Sequence, residues 1–221
     1  MEECQKAVNV HFTSNGIAES TPVWFCGFSL YQAEDDPSIT IQKQLELNPF
    51  TRVIESEPVK SRGRMIAVHT TRADLYERLW CVREVDESLE KGVKTVAALS
   101  QEYEDKVNSQ YTMVIEAGGT DKEAMETAGL TVHAAKAKCS NENDQKMLLD
   151  QLLRERKRTF DRINEAVTSF RRKEVLSILN EALLASAKRG SPRALVDLAK
   201  EGDLHAVKML FELAEKGDMK A

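Results

Sequence analysis

The chain has 221 residues, 42% of them hydrophobic and 30% charged, with a formal net charge of −5. This apolar content supplies a core and excludes wholesale disorder, while the negative balance disfavours a surface that binds polyanions as a whole. No apolar run approaches the roughly 18–20 residues that a membrane span needs, and the acidic start MEECQKAVNVHF lacks the basic and apolar parts of a secretion signal. The cysteines Cys4, Cys26, Cys81 and Cys139 form no CxxC pair. Cys26 and Cys81 lie in apolar stretches and read as small buried thiols, which fits a reducing, cytoplasmic setting.

Residues 1–22 are polar, end in Ser20-Thr21-Pro22, and read as a loose leader or a short exposed element. The apolar run Val23-Trp24-Phe25-Cys26-Gly27-Phe28 lies between Pro22 and the acidic stretch ending at Pro37. Its shortness, aromatic content and flanking breakers predict a buried strand. Residues 38–48 read as helical or irregular, and Pro49 behind Asn48 marks the start of a short helix through Phe50, Val53 and Ile54, closed by Pro58. Met65 to His69 is a second short apolar run and a second predicted strand. From Asp74 to Lys91 the apolar positions Leu75, Leu79, Val82, Val85 and Leu89 recur every three or four residues, which predicts an amphipathic helix with Gly92 at its end. Val93 to Leu99 follows as a third strand. Strands alternating with helices predict a parallel α/β sheet.

Tyr111 to Ile115 reads as a fourth strand, Gly118-Gly119 as a turn before a helix near Asp121, and Leu130 to His133 as the start of either a strand or a helix. From about residue 141 the pattern is helical, with a cap at Asn143 or Asp144, a later helix opening at Ser191-Pro192, a break at Gly202-Asp203, and a last helix from Leu204. The expected organisation is a leader (1–22), an α/β domain with a small parallel sheet flanked by helices (23–140), and an all-helical region (141–221).

Two stretches carry a resemblance. Trp24-Phe25-Cys26-Gly27-Phe28 and Arg78-Leu79-Trp80-Cys81-Val82-Arg83-Glu84 resemble the first strand and the Trp-Cys-x-x-Glu helix of the TIR domain. The likeness is closest to a TIR-like variant of unicellular eukaryotes with a Trp-x-Cys-x-Phe strand and a Trp-Cys-Val-x-Glu helix. It covers about residues 23–99 and implies a flavodoxin-like strand order. It also implies one of two roles. Some members are signalling modules that bind other proteins or themselves; others hydrolyse NAD at the nicotinamide–ribose bond with the helix glutamate, here Glu84. The chain departs from the family pattern at residues 57–64, where a strand, a substrate-covering loop and a helix have little room. More weakly, Asp197 to Glu212 resembles one ankyrin-like helix pair. A single such pair cannot bury its own face, so it either packs on the preceding helices or begins a longer array.

Glu84 is thus the candidate catalytic residue, with a solvated, ion-paired helix glutamate as the plainer reading. Trp80 is a candidate substrate contact or an anchor packed on the sheet. His69, at a strand's carboxyl end where α/β sites open, is a candidate contact or a satisfied strand-end histidine. The four histidines share no metal-ligand spacing, so neither a metal site nor a cofactor is expected, with NAD entering only as a substrate. Arg154 to Lys173 holds eight basic and three acidic residues. It reads as a solvated helix face, or as an adaptor surface for nucleic acid, a reading that its lack of interleaved aromatics disfavours. The leading expectation is a TIR-like interaction module with a helical docking or oligomerisation tail. The first alternative is an NAD glycohydrolase and the second a basic helical adaptor.

Overall fold

A computed structural model describes residues 2–25, 41–155, 158–189 and 191–200, with positions 202 and 208. In chain order the elements are α1 (Glu2–Ser14), α2 (Ile41–Glu46), α3 (Pro49–Ile54), α4 (Glu57–Ser61), β1 (Met65–His69), a 3₁₀ turn (Leu75–Glu77), α5 (Leu79–Glu90) and β2 (Thr95–Leu99). They continue with α6 (Gln101–Glu116), α7 (Asp121–Thr127), a 3₁₀ turn (Ala134–Lys136), α8 (Glu142–Asp150), a π segment (Gln151–Glu155), α9 (Phe160–Glu174), α10 (Leu176–Lys188) and α11 (Pro192–Lys200). The described chain is mostly helical, with a small two-stranded parallel sheet in its first unit. It divides into two compact units that interleave in sequence, Met1–Leu99 with His133–Val167 and Ser100–Val132 with Thr168–Ala221, so one division falls inside α9.

In the first unit β1 and β2 pair in parallel, from Met65 opposite Thr95 to His69 opposite Leu99. Parallel neighbours require a crossover between them, and α5 supplies it. Its Leu79, Val82 and Val85 are buried, and it ends at Gly92, whose φ of 67° suits a residue without a Cβ. The helix is buried on more than its apolar stripe: Arg83, Asp86, Glu87 and Ser88 are enclosed as well. Enclosed charges need partners. Arg158 meets the fully buried Asp86 with both Nε (3.2 Å to Oδ2) and Nη2. Losing one member of such a pair costs about 3–5 kcal/mol, because the survivor is left charged and dry.

Within the expected leader, residues Glu2–Ser14 form a helix, α1. α1 packs against both strands and buries Ala7 and Glu3. The Glu3 carboxylate accepts the Thr71 backbone N–H (2.6 Å) and hydroxyl (3.1 Å), just beyond the end of β1. The strand expected at Val23–Phe28 does not form over its described part. Residues 22–25 are irregular, and Val23, Trp24 and Phe25 are 63%, 38% and 47% exposed. Trp24 meets a ring of α3 rather than a strand. Cys26 to Phe28 lie outside the described residues. Pro58 opens α4 as its second residue instead of closing the preceding helix, as a proline in a first turn can.

In the second unit Tyr103, Val107, Tyr111 and Ile115 are all buried. Their four-residue spacing gives α6 a continuous apolar stripe. The fourth strand expected at Tyr111–Ile115 is therefore the end of this helix, which starts where the Ser100 hydroxyl accepts the Tyr103 N–H (3.1 Å). The Gly118-Gly119 turn and the helix behind it are present. Thr120 and Glu123 form a reciprocal capping box at the start of α7. Leu130 and Val132 are buried without joining a strand or helix, and the Val132 N–H is taken by the Thr168 hydroxyl (3.0 Å). α10 packs on α6 and α11.

The basic stretch is not simply a solvated face. Arg171 is buried and donates to the Tyr103 hydroxyl through Nε (3.1 Å) and Nη2 (3.0 Å), Arg172 pairs with Asp121 (2.6 Å), and Arg158 is spent on Asp86. The ankyrin-like segment is described only within α11 and at positions 202 and 208; the rest of it lies outside the described residues. Among the described residues no helix is long and apolar enough to cross a membrane.

Candidate functional site

The opening of α5 carries the Trp-Cys signature, and the backbone holds it from both sides. Arg78 forms an isolated parallel bridge with Lys138. Leu79 donates its N–H to the Lys138 carbonyl (3.1 Å), and the Lys138 N–H reaches the Glu77 carbonyl (2.9 Å). This brings Cys139 to the Trp80 backbone amide, whose hydrogen bond favours the thiolate; burial and nearby Asp144 outweigh it and raise the thiol's pKa. A thiol held protonated is a poor nucleophile.

Trp80 is half-buried and sits in an aromatic cluster. Its ring lies 4.8 Å from that of Phe50, and Trp24 meets Phe50 edge-on at 5.5 Å and 88°. The Asn48-Pro49 start places Phe50 in the first turn of α3, although Asn48 adopts a left-handed conformation and makes no side-chain cap. The Arg83 guanidinium lies 5.9 Å from the centre of the Trp80 ring, within cation–π range. Arg83 also donates to the Thr51 hydroxyl (3.2 Å) and pairs with Glu87 (3.5 Å), while that hydroxyl donates to the other Glu87 oxygen (2.8 Å). The outcome is a partly open aromatic surface backed by an enclosed ionic network.

Glu84 is half-buried on the same two turns. Burial raises its carboxyl pKa to about 7; Arg83 and Arg78 pull it down and Glu87 pushes it up. A carboxyl that titrates near neutrality can take up or release a proton at working pH. Arg83 thus links Trp80 and Glu84, lying against the Trp80 ring and lowering the Glu84 pKa. His69 belongs to another group. It is buried at the end of β1, with Nε2 3.0 Å from the Tyr76 hydroxyl and the two rings 5.5 Å apart. The 3₁₀ turn that carries Tyr76 is capped by Asp74. Among the described residues no group of three or more His, Cys, Asp or Glu side chains could hold a metal ion.

Phe50 and Thr51 complete this surface but carry no motif of their own, and Trp24 joins it from the Trp-x-Cys-x-Phe stretch. Their signal is indirect: a proline-started helix and an aromatic run, with nothing local to say that the two meet. No family model, curated protein or solved structure matches the chain.

The titration of Glu84 has a stability consequence. In the folded chain it holds a proton up to about pH 7, against an ordinary value of 4.5. Between these values the folded state binds more protons than the unfolded one, so stability falls as pH rises through that window and levels off above it. Glu84→Gln removes the penalty. Urea unfolding is expected to show the variant more stable than the native chain at pH 8, by on the order of 1–3 kcal/mol, with the gap closing towards pH 4.5. An equal effect at pH 5 and pH 8 contradicts this.

Proposed function

We propose that this chain is a TIR-like protein-interaction module whose contact surface is the aromatic cluster at the opening of α5. The observation that carries the reading is that Val23, Trp24 and Phe25 stand exposed beside the Phe50–Trp80 pair. Adjacent exposed aromatic residues mark sites where a partner excludes water, and Trp is among the residues that most often dominate such contacts. The β1–α5–β2 crossover with Trp80-Cys81 at its start supports the TIR-like part. The flavodoxin-like order of a larger sheet remains an expectation carried by the resemblance, since the sheet has two strands among the described residues. The partner assigned to this surface is a second copy of the chain, and the helical regions serve as docking or oligomerisation segments. The basic stretch lends less to nucleic-acid binding than its composition implies, because Arg158, Arg171 and Arg172 are engaged within the protein.

Sedimentation equilibrium over a rising concentration series is expected to show association of the native chain, lost in Trp24→Ser/Phe25→Ser while the circular dichroism spectrum is retained. A chain that stays monomeric throughout, or association unchanged in the variant, contradicts the assignment.

The second reading, NAD hydrolysis, is favoured by the raised pKa of Glu84. In that reaction the nicotinamide–ribose bond breaks, its electron pair leaves with neutral nicotinamide, and water adds to the ribose carbon and gives up one proton to the solvent. An ionised Glu84 beside the sugar would stabilise the positive charge that develops there. Nicotinamide release is then expected to rise as pH passes through about 7 and to vanish in Glu84→Gln. No release from the native chain at high protein concentration removes this reading.

A further inference from the structure

The second unit holds a concave site distinct from the aromatic surface, and Glu84 is not among its residues. It is a half-open cavity of about 290 Å3, at the lower end of the range for small-molecule sites. Side chains of α6, α7, α9, α10 and α11 form its wall, and Leu176, Leu179 and Leu183 give it an apolar side. The polar side is built from Tyr111, Asp121, Lys122, Arg172, Asp197 and Lys200, three cations against two carboxylates.

The carboxylates are already engaged. Asp121 accepts the Tyr111 hydroxyl on one oxygen (2.6 Å) and Arg172 on the other (2.6 Å). Asp197 is nearly enclosed, with the Lys200 ammonium 3.5 Å away. Donor capacity is not used up in the same way. Lys122 and Lys200 are exposed at the rim, an ammonium offers three N–H donors, and the Asn180 amide adds more from the wall. Engaged acceptors, surplus donors, a net positive lining and a leucine side together select a ligand that brings negative charge and an apolar body.

We infer that this cavity binds a small organic anion, its carboxylate or equivalent oxyanion meeting Lys122 and Lys200 and its hydrocarbon lying along Leu176, Leu179 and Leu183. The probe is octanoate, titrated calorimetrically into the full chain at low salt, with octylamine as the cationic control. One saturable octanoate per chain is expected. Lys122→Glu/Lys200→Gln should weaken it about tenfold or more, and added salt should weaken it too. Leu176→Trp, which fills the mouth from a half-buried position, should abolish binding in a chain that still melts cooperatively. Absence of saturable octanoate binding overturns the inference. So does octylamine binding as well as octanoate, and so does octanoate affinity that neither variant changes. None of these results bears on the aromatic surface, which belongs to the other unit.

Discussion

Two parallel strands cannot stand alone. They share a short ladder, their connection must cross from one end to the other, and a two-stranded pair is marginal without something packed on it. In this protein the crossover helix and α1 both pack on the pair, and the ionic network of the first unit follows from how deeply the crossover helix is buried. A helix with one apolar stripe would leave its charged side in water, but α5 takes Arg83, Asp86 and Glu87 inside with it. Each then requires a partner from elsewhere in the chain: Thr51 from α3 for Arg83 and Glu87, and Arg158 from the segment before α9 for Asp86. The same burial, stopping short at Glu84, shifts that carboxyl towards neutrality.

What was legible in the sequence was local. Met65–His69 and the strand ending at Leu99 announce themselves as short apolar runs, and Pro49 and Pro192 mark helix starts; the intervening helix shows in its spacing and terminal glycine, although it begins at Leu79 behind a 3₁₀ turn rather than at Asp74. The failures share a cause. At Tyr111–Ile115 a compact apolar run outweighed a longer four-residue periodicity, although Tyr103, Val107, Tyr111 and Ile115 together state the helical period. Residues 1–22 looked polar because α1 buries little beyond Ala7 and Glu3, and the value of Glu3 lies in its bond to Thr71, 68 residues away. The strand expected at Val23 lacks a ladder partner among the described residues; its aromatic content is used in a ring contact instead. The basic stretch looked solvated because nothing local shows that Asp86, Tyr103 and Asp121 come to meet it.

The candidate site divides in the same way. Trp80 and Glu84 were visible through their motif, and the structure gives each a distinct character: Trp80 as part of an aromatic cluster open at Trp24, and Glu84 as a carboxyl poised between its two protonation states. His69 is instead enclosed at the end of β1, with its Nε2 on the Tyr76 hydroxyl. No sequence motif marks the cavity of the second unit, since it takes side chains from several helices. The two units offer different chemistry: a partly exposed aromatic surface in the first, and a cavity lined by leucines and cations in the second.

The central claim is that α5 is the structural core of the first unit rather than a surface helix laid over a sheet. Native-state hydrogen exchange followed residue by residue tests it most directly, because amides that open only on global unfolding exchange last. The account predicts that the α5 amides from Val82 to Glu87 exchange as slowly as those of β1 and β2, in one cooperative class. If they exchange faster than the strands, at the rate of the short helices α2 and α4, then the sheet stands without its crossover and the account fails.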